Sequence, residues 1–342
     1  MSRVRLSTGT YWKKGSLAGI VCAWALLGAA PGATESLSRP VLSRVEDIPL
    51  PGSPTRFDYQ SIDTAADRLY ISHMGAAELV VFDLHGHRVI GRIGNLPRVT
   101  GVSAVPALGK VYASAPGRHH VAVIDARGLR VVARAGEIGF PDGIAYVPEM
   151  RKIYVSDESG GGELVIDGVS NRAMRTIPIG GEAGNTVYDP GSGHVLVAVQ
   201  TRNEVVEIEP HTDKVVARHE VRGAARPHGM LVDAPHRLLF VANEGNARLL
   251  MVDLRTMEVI GSYPVGEDPD VLAFDPSLGR LYVASESGVV AVFNESDGKL
   301  VHDGNVRMPH AHSVSVDART HLVYLPLQSV NGRPILRIMT PH

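Results

Sequence analysis

The 342-residue sequence contains one cysteine, Cys22, and two tryptophans, Trp12 and Trp24, all in its first 24 positions. Beyond them there is no thiol to form a disulfide, attack a carbonyl or ligate a metal, and no indole to stack on a sugar ring. Excess positive charge is also missing: 34 Lys and Arg stand against 36 Asp and Glu, for a net charge of −2. That balance makes the chain a poor candidate for nucleic acid, whose phosphates demand basic surface. No segment sustains an apolar stripe at 3.6-residue spacing, so helices should be nearly absent. Nor is there a GxSxG elbow or an HExxH pair, which removes the local signatures of a serine hydrolase or a zinc protease.

Long apolar runs are limited to one. Leu17 to Ala30 follows a basic leader of Arg3, Arg5, Lys13 and Lys14 and precedes the small residues Gly32 and Ala33. Basic, apolar and small segments in that order form a secretory signal, and the core is short for a membrane span. Residues 1–33 are expected to be removed on export to the periplasm or medium, leaving no stable membrane insertion. Cleavage there takes away four basic residues and no acid, moving the net charge from −2 to −6.

What the sequence does have is a repeat. A bulky residue in an apolar block recurs at Tyr70, Tyr112, Tyr154, Leu196, Phe240, Tyr282 and Tyr324, at intervals of 42, 42, 42, 44, 42 and 42 residues. Short β-type runs separated by Gly, Pro, Asp and Asn turns fill each interval. This is the period of a β-propeller blade, and residues 34–342 are expected to form one all-β domain of seven four-stranded antiparallel blades. The seventh unit stops after three strands. Val41–Val45 resembles Val89–Ile93, the fourth strand of the first unit, so the N-terminal strand should complete the last blade and close the ring.

The motifs LYVAS (Leu281–Ser285), KIYVSD (Lys152–Asp157), LFVAN (Leu239–Asn243), VAVID (Val121–Asp125) and IPIGG (Ile177–Gly181) resemble those of the YVTN-repeat family of seven-bladed exported bacterial propellers. In blade five, Arg226-Pro227-His228 with Asn243-Glu244 is similar to a pattern of the seven-bladed lactonases. That resemblance implies that His228 and Glu244 face a pocket as candidate catalytic groups, although the order here is RPH where those enzymes usually read PRH. The tryptophan-rich docking of quinone-dependent dehydrogenases, the CxxCH of covalent haem, the Asp-box turns of sialidases and the WD dipeptide are all missing.

In a propeller, residues at equal offsets from the anchors should form rings at the mouth of the central channel. Twelve positions before each anchor lie Asp58, Thr100, Asp142, Gly184, His228, Asp270 and His312. Carboxylates and imidazoles of this kind suit a divalent metal, for which Asp58, Asp142, His228, Asp270 and His312 are the candidates; the plainer reading is that they cap strands and hydrate the channel. Fourteen before lie Arg56, Arg98, Phe140, Glu182, Arg226, Asp268 and His310. Those arginines could hold an anionic ligand bidentately, or pair with the adjacent acids. The loop after the second strand adds His73, Asp157, Glu158, Gln200, Asn243, Glu244, Glu286 and Gln328.

The acidic or amide residues ending the third strands, Asp83, Asp125, Asp167, Glu209, Asp253 and Asn294, should organise turns. Likewise His85, His87, His119, His120, His211, His219 and His236 are expected to be solvated surface groups. Two functions fit. One is an exported binding module holding a small molecule, metal or protein partner on the funnel face. The alternative is a lactonase-like hydrolase or metal-assisted lyase using the same funnel.

Overall fold

In the computed structural model, residues 40–342 are described; the leader assigned to residues 1–33 lies outside them. These residues form seven four-stranded antiparallel sheets. The only helical elements among the described residues are five single 3₁₀ turns.

Each anchor sits in the second strand of its blade, where both faces are covered and apolar residues run without alternation. Leu238–Asn243 is buried at all six positions, whereas the outer strand Lys214–Glu220 alternates half-buried and exposed. The anchors pack into the following blade. Tyr70 joins Val111, Ala113 and Ile124 of blade two, Tyr112 joins Ile153 and Val155 of blade three, and Phe240 joins Leu281 and Phe293 of blade six. Tyr324 completes the circle against Leu69, Ile71 and Phe82 of blade one. A blade therefore buries its apolar face only against a neighbour, which is why the period must repeat until the ring closes. Each such aromatic contributes about 1.5–3 kcal/mol by burial.

Closure occurs as the sequence suggests, with Leu42–Pro49 paired antiparallel to Arg333–Pro341 in a sheet of order fourth, third, second, first. The equivalence is corrected by three residues. Outer strands carry a β-bulge at Ile90 in blade one, between the pairs Val81–Gly91 and Phe82–Val89, and at Val45 in blade seven, between Arg44 and Glu46. Val45 thus matches Ile90, and Ile48 matches Ile93. The bulges at Val132, Met174, Val216 and Ile260 follow the same plan. They twist the exposed edge away from pairing with other chains.

Third-strand acids do organise turns: Asp83 accepts the N–H groups of His85 and Gly86, and Glu209 those of His211 and Thr212. Asn294 departs from this role. It accepts Arg280 Nε at 3.0 Å, while Glu295 takes the Gly298 N–H, because the hairpin of blade six is tighter.

Candidate functional site in the axial funnel

The first strands surround the axis, and those of blades three to six begin with a register shift. The irregularities lie between Pro141 and Ile144, Ala183 and Thr186, Pro227 and Met230, and Pro269 and Leu272. Asp142, His228 and Asp270 occupy these bulged segments, where an unpaired residue can aim its side chain at the axis instead of along the sheet. The loop after the second strand is braced to the same mouth. The N–H groups of Glu158, Gln200, Glu244 and Glu286 donate to the carbonyls of Phe140, Glu182, Arg226 and Asp268.

The ring at the twelve-residue offset is real. Asp58, Asp142, His228, Asp270 and His312 are all buried and meet near the axis. His312 Nε2 lies 2.9 Å from Asp270 Oδ2 and 3.4 Å from Asp58 Oδ1. His228 Nε2 lies 3.3 Å from Asp270 Oδ1 and 3.7 Å from Asp142 Oδ2. Glu286 stands 3.2 Å from His312 Nδ1, and Glu244 3.8 Å from His228 Nδ1. Thr100 does not join; its hydroxyl donates to Pro141 O at 3.0 Å.

Charge states follow from this packing. Burial disfavours the His228 cation, but Asp270, Asp142 and Glu244 outweigh it and raise its pKa to about 10. His312 is likewise buried and likewise raised, by Asp270, Asp58 and Glu286. Asp142 is pushed up to about 8 by burial and by the other acids, against the pull of His228. Asp270 is as deeply buried yet held far below the usual carboxylate range, because it faces both imidazoles. The difference between the two aspartates is geometric: Asp270 bridges two potential cations and Asp142 touches one.

The ring at the fourteen-residue offset resolves unevenly. Arg56 places Nη1 2.9 Å from Glu286 and Nη2 3.0 Å from His312 Nε2. Arg226 reaches Gln200 at 2.9 Å and Glu182 and Glu244 at 3.5 Å, so it pairs with the adjacent acids. Arg98 is exposed and stands 4.8 Å over the Phe140 ring, outside the axial cluster. His310 is an exposed rim residue that lines a small recess with Arg56, Glu286 and Gln328. Asn243 does not face the funnel chemistry at all. Its amide is buried and donates to Val241 O and Arg248 O, which makes it a brace within its blade.

Among the histidines expected on the surface, His120 is instead buried, and His219 is half-buried 3.0 Å from Glu207. His73, expected at the mouth, is buried and stacked on Phe57 with ring centroids 4.1 Å apart.

Sequence reasoning missed Tyr59. Its hydroxyl lies 3.3 Å from His228 Nε2 and 3.4 Å from Asp142 Oδ2. Burial and the surrounding acids hold the phenol well above its ordinary pKa, so it stays protonated. A signal was present: eleven residues before each anchor the chain reads Tyr59, Gly101, Gly143, Asn185, Gly229, Val271 and Ser313. Small residues are needed there because first strands approach closely; a Cβ on Gly229 would lie 1.6 Å from Asp270 O. The one bulky member crosses the axis. Tyr59 lines both the upper funnel, about 100 Å³, and a lower chamber of about 290 Å³ with Met230, Val271 and Phe274. The funnel is below the roughly 300 Å³ of a typical organic-ligand pocket, so it suits an ion or a very small group. A wider cleft of about 510 Å³, lined by Gly160, Gly161, Gly180, Gly181 and Glu182, adjoins it through Phe140 and Glu158.

Fold and funnel together define a seven-bladed propeller with a buried, mixed carboxylate–imidazole cluster on its axis. No family model matches the chain, and no curated protein matches it. Among solved structures it is similar to Kuenenia stuttgartiensis hydrazine synthase, with a TM-score of 0.72 and 14% identity, over 83% of this chain and 96% of that one. That likeness shows the fold alone.

Proposed function

We propose that this chain is an exported binding propeller of the YVTN-repeat kind whose funnel holds a divalent cation through Asp58, Asp270 and His312. The observation that carries the reading is the position of His312 Nε2, 2.9 and 3.4 Å from oxygens of two buried carboxylates. One imidazole N–H can serve one of them, whereas the three atoms, all within 4.8 Å of one another, suit one metal ion with nitrogen and oxygen ligands. His228, Asp142 and Tyr59 would then flank the open side of the ion, with the adjoining cleft available to a small molecule or a partner side chain. Export rests on the basic–apolar–small leader. No helix among the described residues is long and apolar enough to cross a membrane.

Metal analysis of mature protein purified without a nickel column tests the proposal, supplemented by titration of chelator-treated protein with Zn²⁺, Mn²⁺ and Ca²⁺. Loss of one bound equivalent in Asp270→Asn relative to wild type supports it; equal binding by the two proteins, or no binding of any of the three ions, overturns it. The alternative, a lactonase-like hydrolase or metal-assisted lyase in the same funnel, would be distinguished by turnover of lactones that is abolished by His228→Ala.

A further inference from the structure

The first strand of blade five begins at the funnel with His228 and ends at Asp233, about 17 Å away at the usual rise of a strand. At that far end three departures from the repeat meet.

In blades one, four, six and seven, the aspartate ending the first strand is satisfied by the next turn. Asp63 accepts the N–H of Ala65, Asp189 that of Gly191, Asp275 that of Ser277 and Asp317 that of Arg319. In blade five the corresponding residue is Pro235, which has no N–H to give. Among the described residues, no backbone N–H donates to the Asp233 carboxylate, which is met by His236 Nδ1.

The second departure is a missing cation, shared with blade one, where the equivalent residue of the next blade is Gly109. Asp189 is neutralised by Arg237 of the next blade, and Asp275 is met by the His321 imidazole, Nδ1 to Oδ2, at 2.7 Å. Arg237 and His321 both adopt left-handed backbone, φ 57° and 61°. The same position facing Asp233 is Gly279, φ 61°, where a Cβ would lie 2.5 Å from the Glu295 carbonyl.

The third departure adds an acid. The residue whose N–H closes onto that left-handed residue's carbonyl is Leu84, Ala126, Gly168 and Leu254 in blades one, two, three and five. In blade six it is Glu295. Asp233 and Glu295 thus face each other with side chains each 2% exposed, in a seam from which the fixed cation has gone.

His236 lies between them, its Nδ1 2.7 Å from Asp233 Oδ2 and 3.2 Å from Glu295 Oε2. All three ligand atoms fall within 4.8 Å of one another. We infer that Asp233, His236 and Glu295 form a second divalent-cation site, of the zinc or manganese class, which ties blade five to blade six on the face opposite the funnel. One imidazole nitrogen and two carboxylate oxygens supply three ligands. The imidazole is half exposed, so water completes the coordination. The ion takes the place that Arg237 fills one blade earlier. Glu295 keeps its second oxygen on the Gly298 N–H at 2.9 Å, which fixes the carboxylate's orientation.

The site is independent of the funnel, and its test separates the two. Mature protein is stripped with chelator and titrated with Zn²⁺, and with Co²⁺ for its visible absorbance, in the Asp270→Asn/His312→Ala background that disables the funnel. One equivalent is expected to bind and to raise the melting temperature. Adding His236→Ala or Glu295→Gln should weaken that binding on the order of tenfold or more. His236→Ala leaves two buried carboxylates without their shared imidazole, so the metal-free variant should melt lower while remaining folded by circular dichroism. Glu295→Gln removes a ligand without leaving an extra buried charge and keeps the test independent of that loss. Zinc bound by wild type but not by the funnel variant, with His236→Ala indistinguishable from wild type, would overturn the seam site and leave the funnel proposal intact. Zinc retained by the funnel variant at the wild-type level would do the reverse.

Discussion

His228 and His312 are joined by the single carboxylate of Asp270, which places one oxygen 3.3 Å from the first Nε2 and the other 2.9 Å from the second. Blades five, six and seven each contribute one member. The arrangement is a property of the ring rather than of any blade, and several outcomes depend on it.

Asp270→Asn removes the anion that both imidazoles share. Cation binding at the funnel should fall tenfold or more, about 1.4 kcal/mol for each factor of ten. His312→Ala should do the same, whereas His211→Ala, whose side chain is 79% exposed in an outer turn, should be silent. Titration calorimetry on the three variants decides between a cation site and a set of strand caps, for which Asp270→Asn would leave binding unchanged.

In metal-free protein His228 should remain an imidazolium at neutral pH, since its pKa is raised to about 10 from the ordinary 6.5. The sign follows: the folded state binds the proton more tightly, so this contribution to stability is fully present below pH 6.5 and is lost as pH rises toward 10. Nitrogen-15 NMR of the imidazole rings would show it, and Asp142→Asn should lower the transition by roughly one unit. A neutral His228 at pH 7 would contradict the ion-pair assignment.

Ring closure should be energetically substantial. Starting the chain at residue 51 removes a whole strand, including Asp47, whose two oxygens each lie 2.7 Å from the Arg337 guanidinium. The truncated protein should lose several kcal/mol and associate through its bared edge. Asp47→Ala alone should cost about 1 kcal/mol, since the pair is partly exposed. Denaturant melts and light scattering of the two forms measure both effects.

Glu163 is fully buried, and neither carboxylate oxygen has a hydrogen-bond partner. Burial holds its pKa well above 4.5, with the Thr186 side chain opposing and Asp157 adding a smaller push upward. The folded protein therefore keeps a proton that the unfolded chain gives up above that value, and stability falls as pH rises. Glu163→Gln cannot ionise. Its stability relative to wild type should rise as pH increases above about 4.5. Parallel pH profiles of the two proteins would refute the buried-acid reading.

The recurring anchors were enough to number the blades, because each Tyr or Phe, or Leu196 in blade four, fills the gap to the next blade. Equal offsets then located Asp58, Asp142, His228, Asp270 and His312, since identical blades project identical positions onto the axis. The same logic overreached at Arg98 and Asn243. Offset fixes where a backbone position lies, but a side chain turns toward its best partner, here the Phe140 ring and two carbonyls of its own blade.

The sequence by itself therefore determined the architecture, the closing strand and the ring of axial residues, all of which follow from period and local pattern. Tertiary structure alone decided that Tyr59 crosses the channel, that Asp270 rather than Asp142 carries the charge between the histidines, and that Asp233 and Glu295 share one imidazole. Those depend on distances of about 3 Å between residues 40 or more positions apart in the chain. Hydrogen bonds and ion pairs fall off over such distances, and one-dimensional spacing does not resolve them.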